Sequence, residues 1–253
     1  MIDVLHYILI PFKIILFVIL IILDIYILKH TNGDSNITTL IIRFCKFVVH
    51  YLMSYNIEIS DEDYNKYMRY LYSDEKFLCV FNHVSTLDGF VLLSTFPKMG
   101  FVLNYQKVFD YINYDNKIND KIGGIFVDVN KKTSVARKIG KKVNNRKIGD
   151  NILFISPTNE LPDELYSISF FKKTGAFVNK TKILPILIKY QDNSLINIIG
   201  VQSIYSNFAK LFLPENYNIK IKVGNMISAD DDESIEEYRD RVYEIMNQQY
   251  KDM

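Results

Sequence analysis

The chain of 253 residues has only two cysteines, Cys45 and Cys79, and neither stands in a CxxC or other metal-ligand spacing. That excludes a disulfide framework, leaves no residue cluster that implies a metal, and points to a reducing, cytosol-facing location. An excess of charge of one sign is also missing, since 30 Lys and Arg against 29 Asp and Glu give a formal net charge of +1. Nucleic-acid binding normally shows as a strongly basic face, so no nucleic-acid partner is expected. Internal repeats and low-complexity tracts are absent, and so is a GxSxG elbow, which disfavours a Ser-His-Asp hydrolase. Histidine is scarce. Of the four, His6, His30 and His50 lie in an apolar N-terminal region, leaving His83 alone in the rest of the chain. Proton chemistry near neutral pH therefore points first to His83.

Apolar residues, by contrast, are plentiful: 49% of the chain, enough for one sizeable domain with an appendage. Residues Val4 to Leu28 are almost wholly apolar, interrupted by His6, Pro11, Lys13 and Asp24. A bilayer span needs roughly 20 residues, so a span here requires Lys13 or Asp24 to lie near an interface. No small-x-small cleavage site follows, and a retained membrane anchor is expected rather than a cleaved signal. Ile37 to Tyr55 is apolar but carries Arg43, Lys46 and His50, the pattern of a second helix lying in the membrane interface. Two buried helices packed on a soluble domain are the alternative. Composition shifts at Ile57 to Asp63, which divides the chain into residues 1–56, anchor and interfacial helices, and residues 57–253, a globular domain.

In that domain short Ile-, Val- and Phe-rich runs suit strands at Phe77 to Phe81, Gly100 to Leu103, Gly124 to Val127, Ile152 to Ile155, Ile183 to Ile188, Leu195 to Val201 and Ile219 to Val223. Helical spacing marks Ser134 to Val143 and Ser234 to Tyr250. The alternation predicts an α/β domain, a mixed central sheet flanked by helices. Lys121 to Lys147 is rich in Lys and Arg and reads either as a solvated helix face or as a surface for phosphate, CoA or anionic lipid. Asp230 to Glu233 forms an acidic run.

Directly after the first apolar run stands Asn82-His83-Val84-Ser85-Thr86-Leu87-Asp88. Residues five apart on a continuous helix point in different directions. With His83 in a strand-to-helix turn, Ser85 as N-cap and Asp88 three residues later as the acidic half of a capping box, the carboxylate turns back toward the imidazole. Asp88 would then fix the tautomer and balance the imidazolium. The same residues also read as a plain helix cap beside an incidental histidine, and spacing does not separate the two.

The surroundings add a resemblance. Asn82-His83-x-x-x-x-Asp88 after a strand resembles the NHxxxxD motif of the glycerophospholipid acyltransferase family, which includes lysophosphatidate acyltransferases. Gly124-Ile125-Phe126-Val127-Asp128 resembles the second block, with Val129 in place of its arginine. Phe154-Ile155-Ser156-Pro157-Thr158-Asn159-Glu160 stands where the third block, Phe-Pro-Glu-Gly-Thr-Arg, is usual, and its arginine is missing too. Phe170 to Phe177 is similar to the Phe-Lys-x-Gly-Ala stretch, and Ile183-Leu184-Pro185-Ile186 to the fourth block. The resemblance runs in order over most of residues 77 to 250.

It implies acyl transfer from acyl-CoA, as co-substrate, or from an acyl carrier protein to a hydroxyl of a lysophospholipid, most simply lysophosphatidate, with no cofactor and membrane lipids as partners. His83 is the implied general base and Asp88 its orienting acid. Asn82, Ser85, Lys107, Gly124, Asp128, Pro157, Thr158, Glu160, Lys172 and Lys173 are the implied substrate-side residues; Lys131 and Lys132 are further candidates to replace the missing arginines. Lysine offers a point charge without the fork of arginine, so headgroup recognition is expected to differ from the family pattern. A catalytically silent, lipid-binding relative is the alternative.

Overall fold

The computed structural model describes residues 3–30, 35–85, 87–104, 123–127, 132–158, 167–191, 212 and 217–253. Helix α1 (Asp3–His30) and helix α2 (Ser35–Phe47) lead through a π turn at Val48–Leu52 into strand β1 (Tyr55–Ile59) and helix α3 (Asp61–Leu71). Then come β2 (Phe77–Phe81), α4 (Asp88–Thr95), β3 (Met99–Asn104), β4 (Ile125–Val127), α5 (Lys132–Asn144), β5 (Ile152–Ile155), β6 (Lys182–Tyr190), β7 (Tyr217–Val223) and α6 (Ile235–Lys251).

Among the described residues the strands form one seven-stranded sheet in the order β1-β7-β6-β2-β5-β3-β4. Every pairing is parallel except β6 with β7, so the sheet is mixed, as expected. Parallel strands with both faces covered read as continuous apolar runs. Strand β2, in the middle of the sheet, shows this directly: all five residues are buried. Its alternate side chains feed two cores. Phe77, Cys79 and Phe81 face the π turn, α3 and α4, whereas Leu78 and Val80 face α5, α6 and the Phe171–Phe177 segment.

Most expected elements appear with adjusted ends. Strand β6 runs two residues past its expected end, to Tyr190. Helix α6 begins behind a reciprocal capping box, in which Ser234 Oγ accepts from Glu237 N at 3.2 Å and Glu237 Oε2 from Ser234 N at 2.8 Å. The run Leu195 to Val201 lies outside the described residues. Strand β1 and helix α3 were not expected. Residues 56 and 57, on either side of the expected division, both lie in β1, and the stretch Ile57 to Asp63 holds the end of that strand and the first turn of α3, capped by Ser60, whose Oγ accepts from Asp63 N at 3.1 Å.

Among the described residues no helix is long and apolar enough to cross a membrane. Helix α1 packs onto the domain through buried Phe17, whose ring lies 5.9 Å from Phe90 of α4 and 5.6 Å from Phe212. Val48, Val49 and Leu52 of the π turn are buried in the same core.

Candidate active site

The site is built where β2 leaves the sheet. Parallel pairing of β2 with β6 ends at Phe81 opposite Ile186. The Asn82 side chain then takes over the role of backbone: its Nδ2 donates to Ile188 O and its Oδ1 accepts from Ile188 N, both at 2.8 Å. Both ends of the amide are thereby consumed, and Asn82 is only 1% exposed. It ties the turn to β6.

The turn closes on Asp88. Its Oδ2 accepts from Val84 N at 2.8 Å and Ser85 N at 3.0 Å, and lies 2.8 Å from His83 Nδ1. Its Oδ1 accepts from the Tyr190 hydroxyl at 2.9 Å. The five-residue spacing thus serves a real contact. The acidic half of the anticipated capping box is present, Asp88 Oδ2 reaching back to Ser85 N, but the serine half is not. Helix α4 starts at Asp88 itself with Leu87 in the N-cap position, and Ser85 Oγ accepts from Leu87 N at 3.3 Å instead of capping the helix. The reason is that Asp88 N is already bonded to Ser85 O, which leaves the serine side chain to close a smaller ring. Ser85, like Asn82, is buried and internally bonded.

Burial separates the two members of the pair. The Asp88 side chain is 1% exposed and that of His83 35%. Since Asp88 accepts, Nδ1 of His83 donates, and the lone pair of Nε2 becomes the basic position of the ring. The Phe81 ring packs at 82° to the imidazole with centroids 6.4 Å apart. Tyr190 is a residue that sequence reasoning missed. Its signal was present: Leu184, Ile186, Ile188 and Tyr190 share one face of β6 and one core, and a tyrosine ends that aliphatic row. Burial, and then the Asp88 carboxylate beside it, push its phenol well above the ordinary value, so it stays a donor.

The remaining candidates distribute along the edge. Strand β5 pairs with β2, Val80 opposite Ile155, so Ser156-Pro157-Thr158 emerges beside Asn82 at the same carboxyl end of the sheet. Ser156 Oγ and Thr158 Oγ1 lie 2.9 Å apart, and Thr158 is buried. Lys173 N donates to Pro157 O at 3.1 Å, which draws the segment carrying the exposed side chains of Lys172 and Lys173 alongside that loop. Gly124 is not brought to this edge. It precedes β4, whose first residue pairs with Val102, and lies level with Cys79 in mid-sheet. There the glycines serve close packing: a Cβ on Gly100 would meet Gly123 O at 2.2 Å, and Gly123 has φ +71°. Lys107, Asp128, Lys131 and Glu160 lie outside the described residues.

An imidazole backed by a buried carboxylate thus stands at the carboxyl edge of mostly parallel strands, where functional groups of α/β folds gather. The family model described as Acyltransferase matches residues 62–189, just over half of the 253-residue chain, and takes in the whole of His83 to Asp88. The chain belongs to the acyltransferase family. Comparison with curated protein sequences gives no match. Among solved structures the fold is similar to that of the 1-acyl-sn-glycerophosphate (LPA) acyltransferase PlsC from Thermotoga maritima, with a TM-score of 0.64 at 16% identity over 100% of this chain and 99% of that one. At that identity the likeness concerns the fold.

Proposed function

We propose that the protein transfers an acyl group from acyl-CoA to a free hydroxyl of a lysophospholipid, most simply lysophosphatidate to phosphatidate. The observation that carries this reading is the 2.8 Å contact of His83 Nδ1 with buried Asp88, inside a chain of the acyltransferase family. Nε2 of His83 takes the proton of the acceptor hydroxyl as its oxygen attacks the thioester carbonyl. The tetrahedral intermediate then collapses with loss of the CoA thiolate, which takes the proton back from the imidazolium. Asp88 orients the ring and stabilises its charge meanwhile. The N–H groups of Val84, Ser85, Leu87 and Asp88 are all spent within the turn, so the oxyanion must draw its donors from elsewhere.

Purified full-length protein, acyl-CoA and a panel of lyso-acceptors test the reading by thiol release. Rates no higher than those of His83→Ala would leave a silent, lipid-binding relative, the reading favoured by the missing arginines of the second and third blocks. The exposed lysines on the rim support an anionic acceptor. Lys172→Glu with Lys173→Glu is expected to raise KM for lysophosphatidate by about tenfold while kcat changes less, with a smaller effect on a zwitterionic acceptor.

The N-terminal helices support attachment to a membrane surface, with the site facing the cytosol. Ile8, Phe12, Ile15, Ile19, Ile22 and Tyr26 repeat at spacings of four and three and are each 54–66% exposed, while Phe17 is turned into the domain. With Leu9, Leu16, Val18 and Leu23 also exposed, the whole outward half of α1 is apolar, and a contiguous exposed apolar surface of this kind suits contact with a membrane. Because Tyr55 and the π turn belong to the core, the informative change is not removal of residues 1–55 but Phe12→Glu, Ile15→Glu and Ile19→Glu together. Each buried side chain contributes roughly 1.5–3 kcal/mol, so sedimentation with anionic vesicles should fall by at least about a hundredfold in partition coefficient. Unchanged partition would refute this attachment.

A further inference from the structure

Tyr190 closes β6 one residue beyond the segment matched by the acyltransferase family. It is 1% exposed, and its hydroxyl donates at 2.9 Å to the carboxylate oxygen of Asp88 that His83 does not use. Asp88 is thereby held from two elements of the sheet. Val84 N, Ser85 N and His83 engage Oδ2 from the turn after β2, and Tyr190 engages Oδ1 from β6. Asn82 ties the same two elements together through Ile188, two residues before Tyr190 on the same face. The register that seats Asn82 therefore also delivers the phenol to the carboxylate.

We propose that Tyr190 is a positioning residue for this site: it fixes the plane of the Asp88 carboxylate and draws charge from it, and so sets the pH at which His83 becomes an available base. The chemical consequence rests on the acyl-transfer reading, whereas the effect on His83 does not. A donor on Oδ1 stabilises the negative charge of Asp88, and a better-stabilised carboxylate holds the neighbouring imidazolium less tightly. His83 then gives up its proton more readily than it would beside a carboxylate without that donor. Without the phenol, Oδ1 is a buried charged oxygen with no donor, and the pair retains its shared proton to higher pH.

Among the described residues, Tyr55 of β1 acts on Tyr190 and Asp88 acts on Tyr250 of α6; Tyr55 and Tyr250 are both phenols, whose ordinary titration lies far above that of imidazole. Tyr250 is pushed up to about 12 by burial and by Asp88. Lys189, next along the strand, points to the opposite face, where its Nζ donates to Tyr250 O at 3.1 Å.

The test follows the imidazole itself. Full-length protein in lipid nanodiscs, labelled at its four histidines, is titrated by NMR, with His83→Gln identifying the His83 resonances. Tyr190→Phe is expected to raise the His83 midpoint by about 0.5 to 1 pH unit. Site-specific 3-fluorotyrosine at position 190, a stronger donor of nearly unchanged volume, is expected to lower it, and the acid limb of kcat/KM should move with the midpoint in both variants. Loss of packing alone would not shift the midpoint in opposite directions. Midpoints in both variants within about 0.2 pH unit of the parent overturn the proposal, whatever the activity. If Tyr190→Phe does not fold, the fluorinated protein decides by the same criterion. Opposite shifts without acyl transfer in any form would uphold the role of Tyr190 and overturn the acyl-transfer reading instead.

Discussion

Asp88→Asn is expected to lower kcat for acyl transfer by roughly a hundredfold to ten-thousandfold, the range usual for losing general-base function, while the fold persists. The asparagine oxygen can still accept from Val84 N and Ser85 N, and its NH2 can donate to the Tyr190 hydroxyl, which accepts as well as donates. The turn therefore keeps its hydrogen bonds, at a cost of about 1–2 kcal/mol. What disappears is the charge that balances the imidazolium 2.8 Å away. His83→Ala removes the base outright and is expected to cost as much or more. Because the two act as a unit, the double variant should be no slower than His83→Ala alone. Single-turnover acylation with a saturating acceptor measures all three proteins. Asp88→Asn retaining more than about a tenth of the parental rate would show that the carboxylate has no part in the proton transfer.

The second large effect falls far from the site. Arg146→Met is expected to destabilise the protein by about 2–5 kcal/mol, at about 1–3 kcal/mol for each of the two carbonyls left without a donor. Arg146 is 5% exposed, and its guanidinium is the cap of α3. It donates to Ser73 O at 3.2 Å, Glu75 O at 3.0 Å and Tyr70 O at 3.3 Å, and also to Leu71 O, while lying 5.2 Å from the centre of the Phe77 ring. A helix leaves its last carbonyls without intrahelical partners, and a cation there also complements the helix dipole. Methionine fills the space but leaves Ser73 O and Glu75 O, in the connection that delivers the chain to Phe77 and β2, without this donor, whereas Tyr70 O keeps Ser73 N and Leu71 O keeps Gly149 N. For a chain of this size the loss corresponds to a fall in Tm of roughly 10 °C, readable by calorimetry. Arg146→Lys should recover less than half, since one ammonium cannot reach four carbonyls from one point. A full recovery by lysine would contradict the fork geometry.

Arg146 also illustrates what could not be read from the chain. In the sequence it stands in a basic stretch that reads as a solvated face or an anion site, because charge patterning distinguishes exposed from buried residues only when one knows what packs above them. Its neighbours on α5, Arg137, Lys138, Lys141 and Lys142, lie on the opposite side of the apolar row of Ile139 and Val143 from the core, as such a face would. Strand β1 was hidden for a related reason. Its alternation of buried and exposed positions is brief, and its partner β7 lies more than 150 residues away, Tyr55 opposite Tyr217. Helix α3 has a clear Ser60 cap, yet its polar composition resembles a linker until Tyr67 and Leu71 are seen buried.

The sequence by itself determined the local chemistry: a lone histidine at the end of a fully apolar strand, a carboxylate five residues on, and a set of short apolar runs that had to alternate with helices. Those features depend on residue type and nearby spacing, and they allow His83 and Asp88 to meet across a strand-to-helix turn. The tertiary structure decided which strands are neighbours. Only the order β6-β2-β5 sets Asn82 against Ile188, brings Tyr190 onto Asp88 and stands Pro157 beside the turn, while leaving Gly124 in mid-sheet. Strand order is set by burying all the apolar faces at once, a condition on the whole chain that no single segment contains.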